Sequence, residues 1–181
     1  PPAWGFQLTL FRRRTDRGAD SRSAFAPRQL LLAHAALTDV AGQRMWHHQS
    51  VARAGLGVAE ASEADTAVHL RDTRLRRVAA GDGSLYEGAC QTPDFGLSLQ
   101  ARSTQPVLLQ GQAGYSRKGP QAGQASHYYS QPQLAVQARV QPTGGPAVQA
   151  EGRAWLDHEW SESVLDPQAA GWDWVGMNLD D

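Results

Sequence analysis

The sequence predicts an all-β protein, an antiparallel barrel or sandwich. Three observations support this. Apolar and polar residues alternate along most of its runs, and clusters of Gly, Pro, Asp and Ser break those runs at short intervals. No long stretch keeps the 3.6-residue period of a helix; the nearest, "VAEASEADTA", is short, mostly polar and preceded by Gly57.

The elements follow in order. "GFQLTLFRRR" places Phe6, Leu8 and Leu10 on one face and Gln7 and Thr9 on the other, as a strand does. The polar "RRRTDRGADSRS" after it predicts a loop. "LLLAHAALTDV" is the most apolar stretch, interrupted by His34 and Thr38. "RMWHHQSVAR", "AVHLRDTRLRRV", "FGLSLQAR", "PVLLQGQA", "QLAVQARVQ" and "PAVQAEGRAWLDHEW" each alternate, with turns at "AAGDGS", "STQP" and "PTGGP". The last turn predicts a hairpin that pairs 133–141 with 146–156.

A chain of 181 residues is one domain by default and can bury a sizeable core. Its 17 basic and 18 acidic side chains leave a formal charge of -1, so no charge excess points to nucleic acid or an anionic membrane surface. No run approaches the ~20 apolar residues of a membrane-spanning helix. The single cysteine, Cys90, excludes an internal disulfide and any multi-cysteine metal site, and it reads as a small buried filler.

Several motifs start and fail. His158-Glu159 opens like the H-E-x-x-H zinc motif, but Glu162 stands where the second His belongs and the segment reads as strand, so no metal site is expected. His47 and His48 fall on opposite faces of their strand. "GQAGYSRKGP" lacks the residue order of a phosphate-cradling loop, and no G-x-S-x-G elbow is present.

The C-terminal stretch 153–181 is unusual, with four of the six tryptophans, five Asp, two Glu and a His. If 153–160 is extended, Leu156, His158 and Trp160 share one face and Trp155, Asp157 and Glu159 the other. Trp172 and Trp174 likewise share a face opposite Asp173. Core against solvent is the plain reading. Neither face is cleanly apolar, however, and an interior holding both Trp and His suits a ligand cavity.

The blocks "FRRR", "LAHAALTDV", "PVLLQGQAGYSRKGPQAGQASHYYSQPQL", "WLDHEWSES" and "GWDWVGMNLDD", in this order across almost the whole chain, resemble the carotenoid 1,2-hydratase family. That family includes the related AttH-like bacterial proteins, often described as predicted secreted hydrolases. The resemblance implies a lipocalin-like fold of two consecutive β-barrel-like domains, of which residues 1–181 match the first. In the family the closing Asp180-Asp181 leads into a Gly and a returning strand, so a hairpin and a second β domain are expected beyond it.

In the hydratases the resemblance implies addition of water to a terminal isoprenoid C=C, with no cofactor. An acid must protonate the alkene, aromatic faces must stabilise the carbocation, and water must arrive from one side. Asp157, Glu159 or Asp173 would be the acid, and His158 would hold a proton or water. Trp160, Trp172 and Trp174 would form the walls, with His34 as a further ligand contact, and Tyr128 and Tyr129 either line the pocket or pin a structural corner. "YSRKGP" and "WLDHEWSES" look nearer to the AttH-like branch, usually secreted or lipid-anchored and found beside export machinery. Two functions therefore stand: an enzyme hydrating an apolar isoprenoid, or a non-enzymatic extracytoplasmic carrier of a lipid or other apolar molecule. The expected partners are that molecule, the chain's own second domain and an export system, and not nucleic acid.

Overall fold

The computed structural model describes residues 3–16, 20–23, 25–162, 166, 168–171 and 173–178. The described residues form antiparallel strands and no helix, in agreement with the all-β, lipocalin-like class expected. The chain divides into two compact units, residues 1–100 with 137–151 and residues 101–136 with 152–181.

The first unit opens with β1 (Trp4–Arg14), β2 (Gln29–Asp39) and β3 (Arg44–Arg53), hydrogen-bonded in that order. The register of β1 on β2 runs unbroken from Trp4↔Asp39 to Arg14↔Gln29. A meander follows through β4 (Ala59–Ala61), β5 (Ala67–Leu70), β6 (Thr73–Ala80), β7 (Gly83–Gln91) and β8 (Phe95–Arg102), each paired to the next. Side chains close its turns. The Thr92 hydroxyl donates to the Phe95 carbonyl and accepts from the Phe95 N–H, which ends β7 and starts β8.

Alternation places Leu31 and Ala33 of β2 in one core with Ala59 and Leu70, against which Leu10, Ala52 and Val68 pack. Gly88 has a steric reason: a Cβ there would lie 3.2 Å from both Leu8 and Leu99, so that one of them would have to give by a few tenths of an ångström. Cys90 is buried, as its reading as filler expects.

The second unit holds β9 (Leu108–Leu109), β10 (Tyr115–Arg117), the first part of β11 (Ala125–Pro142) and the last part of β12 (Val148–Trp160). β9, β10 and β12 all pair with β11. The expected hairpin at "PTGGP" joins β11 to β12, with Gly144 at φ 77° and the Gly145 N–H bonded to the Pro142 carbonyl at 3.0 Å. Within β11, Gln133 takes the left-handed φ of 54°, which is uncommon for a residue with a Cβ. The Thr104 hydroxyl donates to its carbonyl, its N–H donates to Asn178, and its side-chain oxygen accepts from Arg153.

Four expectations change. "AVHLRDTRLRRV" is not one strand but the hairpin β5–β6, because Arg71 turns left-handed at φ 52°. "PVLLQGQA" contributes only Leu108–Leu109, since Gly111, Ala113 and Gly114 all take positive φ. "GSLYEGACQ", which the alternation did not single out, is strand β7. Residues 173–178 around "WDW" form no strand; side-chain bonds hold them instead. Of the predicted loop "RRRTDRGADSRS", Arg12–Arg14 belong to β1, and residues 17–19 lie outside the described residues. So do Trp172 and Asp180-Asp181, with the hairpin expected there.

Candidate functional site

The second unit buries Ser126, Ser130, Gln131 and Gln133 beside Ala101, Ala125, Leu134 and Val136, while Leu108, Leu109, Tyr115, Trp160, Trp174 and Val175 are exposed. The side-chain oxygen of Gln131 is buried with no hydrogen-bond partner among the described residues.

Alternation along β11 and β12 sorts the site into two groups of contacts. In the aromatic group, His127 and Tyr129 of β11 meet His158 and Trp160 of β12. The His127 and Trp160 rings stack at 5.4 Å, and Tyr129 meets Trp160 edge-on at 6.4 Å. The Tyr129 oxygen lies 2.8 Å from His158 Nδ1, a hydrogen bond whose direction depends on the imidazole tautomer. Tyr115 of β10, paired with His127 across the ladder, extends the cluster at 6.0 Å.

The polar group is made by the alternate residues, Ser126, Tyr128 and Ser130 with Asp157 and Glu159. Asp157 Oδ1 accepts from the Ser130 hydroxyl at 2.6 Å and from the Trp155 indole at 2.8 Å, and Oδ2 accepts from the Trp174 indole at 2.9 Å. Gln110 donates to Ser130 in turn, at 2.8 Å. Glu159 accepts from Ser126 at 2.5 Å and pairs with the Lys118 ammonium at 2.8 Å. That ammonium also stands 4.9 Å from the centre of the Tyr128 ring, within cation–π range. Burial raises the Tyr128 pKa above its ordinary value; the Trp174 indole works against this, and the Asp157 carboxylate adds to it.

Gly176 fits between the indoles: a Cβ there would fall 2.6 Å from the Trp174 ring and 3.5 Å from Trp155. Trp174 and Asn178 thus fasten the irregular segment 173–178 to β12 and β11.

The structure brings together Asp157, Tyr128 and Trp174 in one group, and His158, Trp160 and Tyr129 in the other. Glu159 joins the first through Lys118. Trp174 therefore contacts Asp157 and Tyr128 and not the ring cluster of Trp160, with which the resemblance grouped it. Asp173 is exposed in the irregular segment, Trp172 lies outside the described residues, and His34 sits on β2 of the first unit, edge-on to Phe11 at 5.3 Å. Sequence reasoning missed His127, Ser126, Ser130 and Trp155. Part of their signal was present, since "SHYYS" puts Ser126, Tyr128 and Ser130 on one face of a strand and His127 with Tyr129 on the other. Among the described residues, no group of three or more His, Cys, Asp or Glu could hold a metal ion.

A family model described as AttH-like matches residues 2–181. A solved structure from Nitrosomonas europaea, provisionally named as an AttH, is 43% identical, with a TM-score of 0.82 over 96% of this chain. This chain spans 50% of that protein's length. No curated protein matches.

Proposed function

The chain belongs to the AttH-like family, and from that premise we propose that it binds an apolar, lipid- or isoprenoid-like molecule on the aromatic surface of its second unit. The observation that supports this is the exposed ring cluster: Trp160 is 51% exposed among Tyr129, His127 and His158. Ring faces offer large apolar area at little cost in conformational entropy, and covering one contributes on the order of 1–3 kcal/mol. The polar group sets the aromatic one in place, because Ser130–Asp157 and Ser126–Glu159 cross-link the two strands that carry it. By resemblance alone, the same reading places the protein outside the cytoplasm, with a second lipocalin-like domain and an export system as partners.

A second reading is cofactor-independent hydration of a C=C bond in that molecule. The Tyr129–His158 pair favours it, as a hydrogen-bonded phenol and imidazole beside an indole face. In that reaction a proton adds to one alkene carbon and a water oxygen bonds to the other. The proton released from that water then restores the acid. Asp157 and Glu159 already accept hydrogen bonds from neighbouring donors, so they suit anchoring better than proton delivery.

Titration with a long-chain isoprenoid alcohol and a fatty acid, followed by tryptophan fluorescence, tests both readings. Binding should saturate and weaken roughly tenfold in Trp160→Ala. Unchanged fluorescence across the panel would remove the binding reading. A product heavier by one water, lost in His158→Ala while binding persists, would establish the hydratase over the carrier.

A further inference from the structure

The first unit carries a groove of about 300 Å³, and Arg71, Arg74 and Arg139 line it together with Gln91 and Ser98. That volume is at the lower end of the ~300–1,000 Å³ typical of small-ligand sites. All three arginines are exposed. Their neighbours on β6 are neutralised, Arg76 by Glu87 at 2.5 Å and Arg77 by Asp65 at 2.7 Å. Arg71, Arg74 and Arg139 have no ion pair among the described residues, and one carboxylate, Asp72, lines the groove with them.

Gly96 of β8 leaves room for the Gln91 amide, whose Oε1 would lie 2.7 Å from a Cβ there. Arg71 takes φ 52° at the tip of the β5–β6 hairpin, as the pairing of Leu70 with Thr73 requires, and that turn sets it beside the groove.

We propose that this groove binds a phosphate group, clamped by the guanidinium forks of Arg71, Arg74 and Arg139. Arginine presents paired N–H donors at the spacing of two phosphate oxygens. The phosphate belongs to a lipid headgroup or to a soluble phosphate ester, and the chemistry of the groove is the same for both.

The test is titration of inorganic pyrophosphate into the full chain at constant ionic strength, with chloride as the control. Binding should saturate, and Arg74→Gln and Arg139→Gln should each weaken it about tenfold. Arg71→Gly separates binding from folding. Glycine takes positive φ freely, so this variant should keep or raise Tm while binding more weakly. Sedimentation with phosphatidylcholine vesicles, with and without phosphatidic acid, then identifies the source. Binding only to the vesicles with phosphatidic acid, competed by pyrophosphate, assigns a headgroup; pyrophosphate binding without vesicle binding assigns a soluble ester. No saturable binding to either, or affinity unchanged in all three variants, would overturn the site.

Discussion

The Tyr129 hydroxyl oxygen and His158 Nδ1 are 2.8 Å apart, and their rings meet edge-on at 5.1 Å. The bond joins β11 to β12 on the aromatic side of the sheet and selects one imidazole tautomer. Tyr129→Phe keeps the ring contacts and removes the bond. The variant should lose about 0.5–1.5 kcal/mol of stability. The nitrogen NMR signals of His158 should shift toward the other tautomer, and an unchanged imidazole spectrum would show that the bond does not form in solution.

Asp157 anchors the opposite side. In Asp157→Asn an amide NH₂ replaces one acceptor oxygen, so Ser130, Trp155 or Trp174 loses its partner. The expected cost is about 1–2 kcal/mol. Tryptophan emission should move to longer wavelength as the Trp174 indole gains water. Emission identical to the parent protein would mean that Asp157 does not hold that ring.

Trp160 distinguishes a binding surface from a core. A buried Trp costs ~3–5 kcal/mol when cut to Ala. Trp160 is half-exposed and stacked on His127, so Trp160→Ala should cost no more than about 1.5 kcal/mol by denaturant melts. A loss in the core range would assign the ring to packing instead.

Cys90 sets a pH dependence. Burial pushes its thiol from 9.0 up to about 11, with a backbone hydrogen bond at Leu97 opposing weakly. Unfolded chain therefore ionises first as pH rises. The stabilisation is complete below about pH 9 and is lost by about pH 11, on the order of 2–3 kcal/mol in all. Over that window wild type should lose more stability than Cys90→Ala, and parallel curves for the two proteins would refute this.

What the sequence determined by itself was local. Period-2 alternation and Gly-Gly turn chemistry depend on neighbours along the chain, so β3 and β8 match the runs "RMWHHQSVAR" and "FGLSLQAR" residue for residue, and the hairpin at "PTGGP" forms as expected. The alternation of "LDHEW" likewise placed His158 and Trp160 on one side and Asp157 and Glu159 on the other.

Tertiary structure decided everything that depends on partners distant in sequence. Arg71 carries no turn signature, yet its left-handed φ splits one apparent strand into a hairpin, because the pairing of β5 with β6 demands it. "WDW" looked like a strand by alternation. The Trp174 indole instead reaches Asp157, and Asn178 reaches Gln133, so side chains rather than a ladder fix the segment. That is why Trp174 joins the carboxylate and not Trp160. Strand register decides which residues of β11 lie against β12, and only that register sets His127 on Trp160 and Ser130 on Asp157.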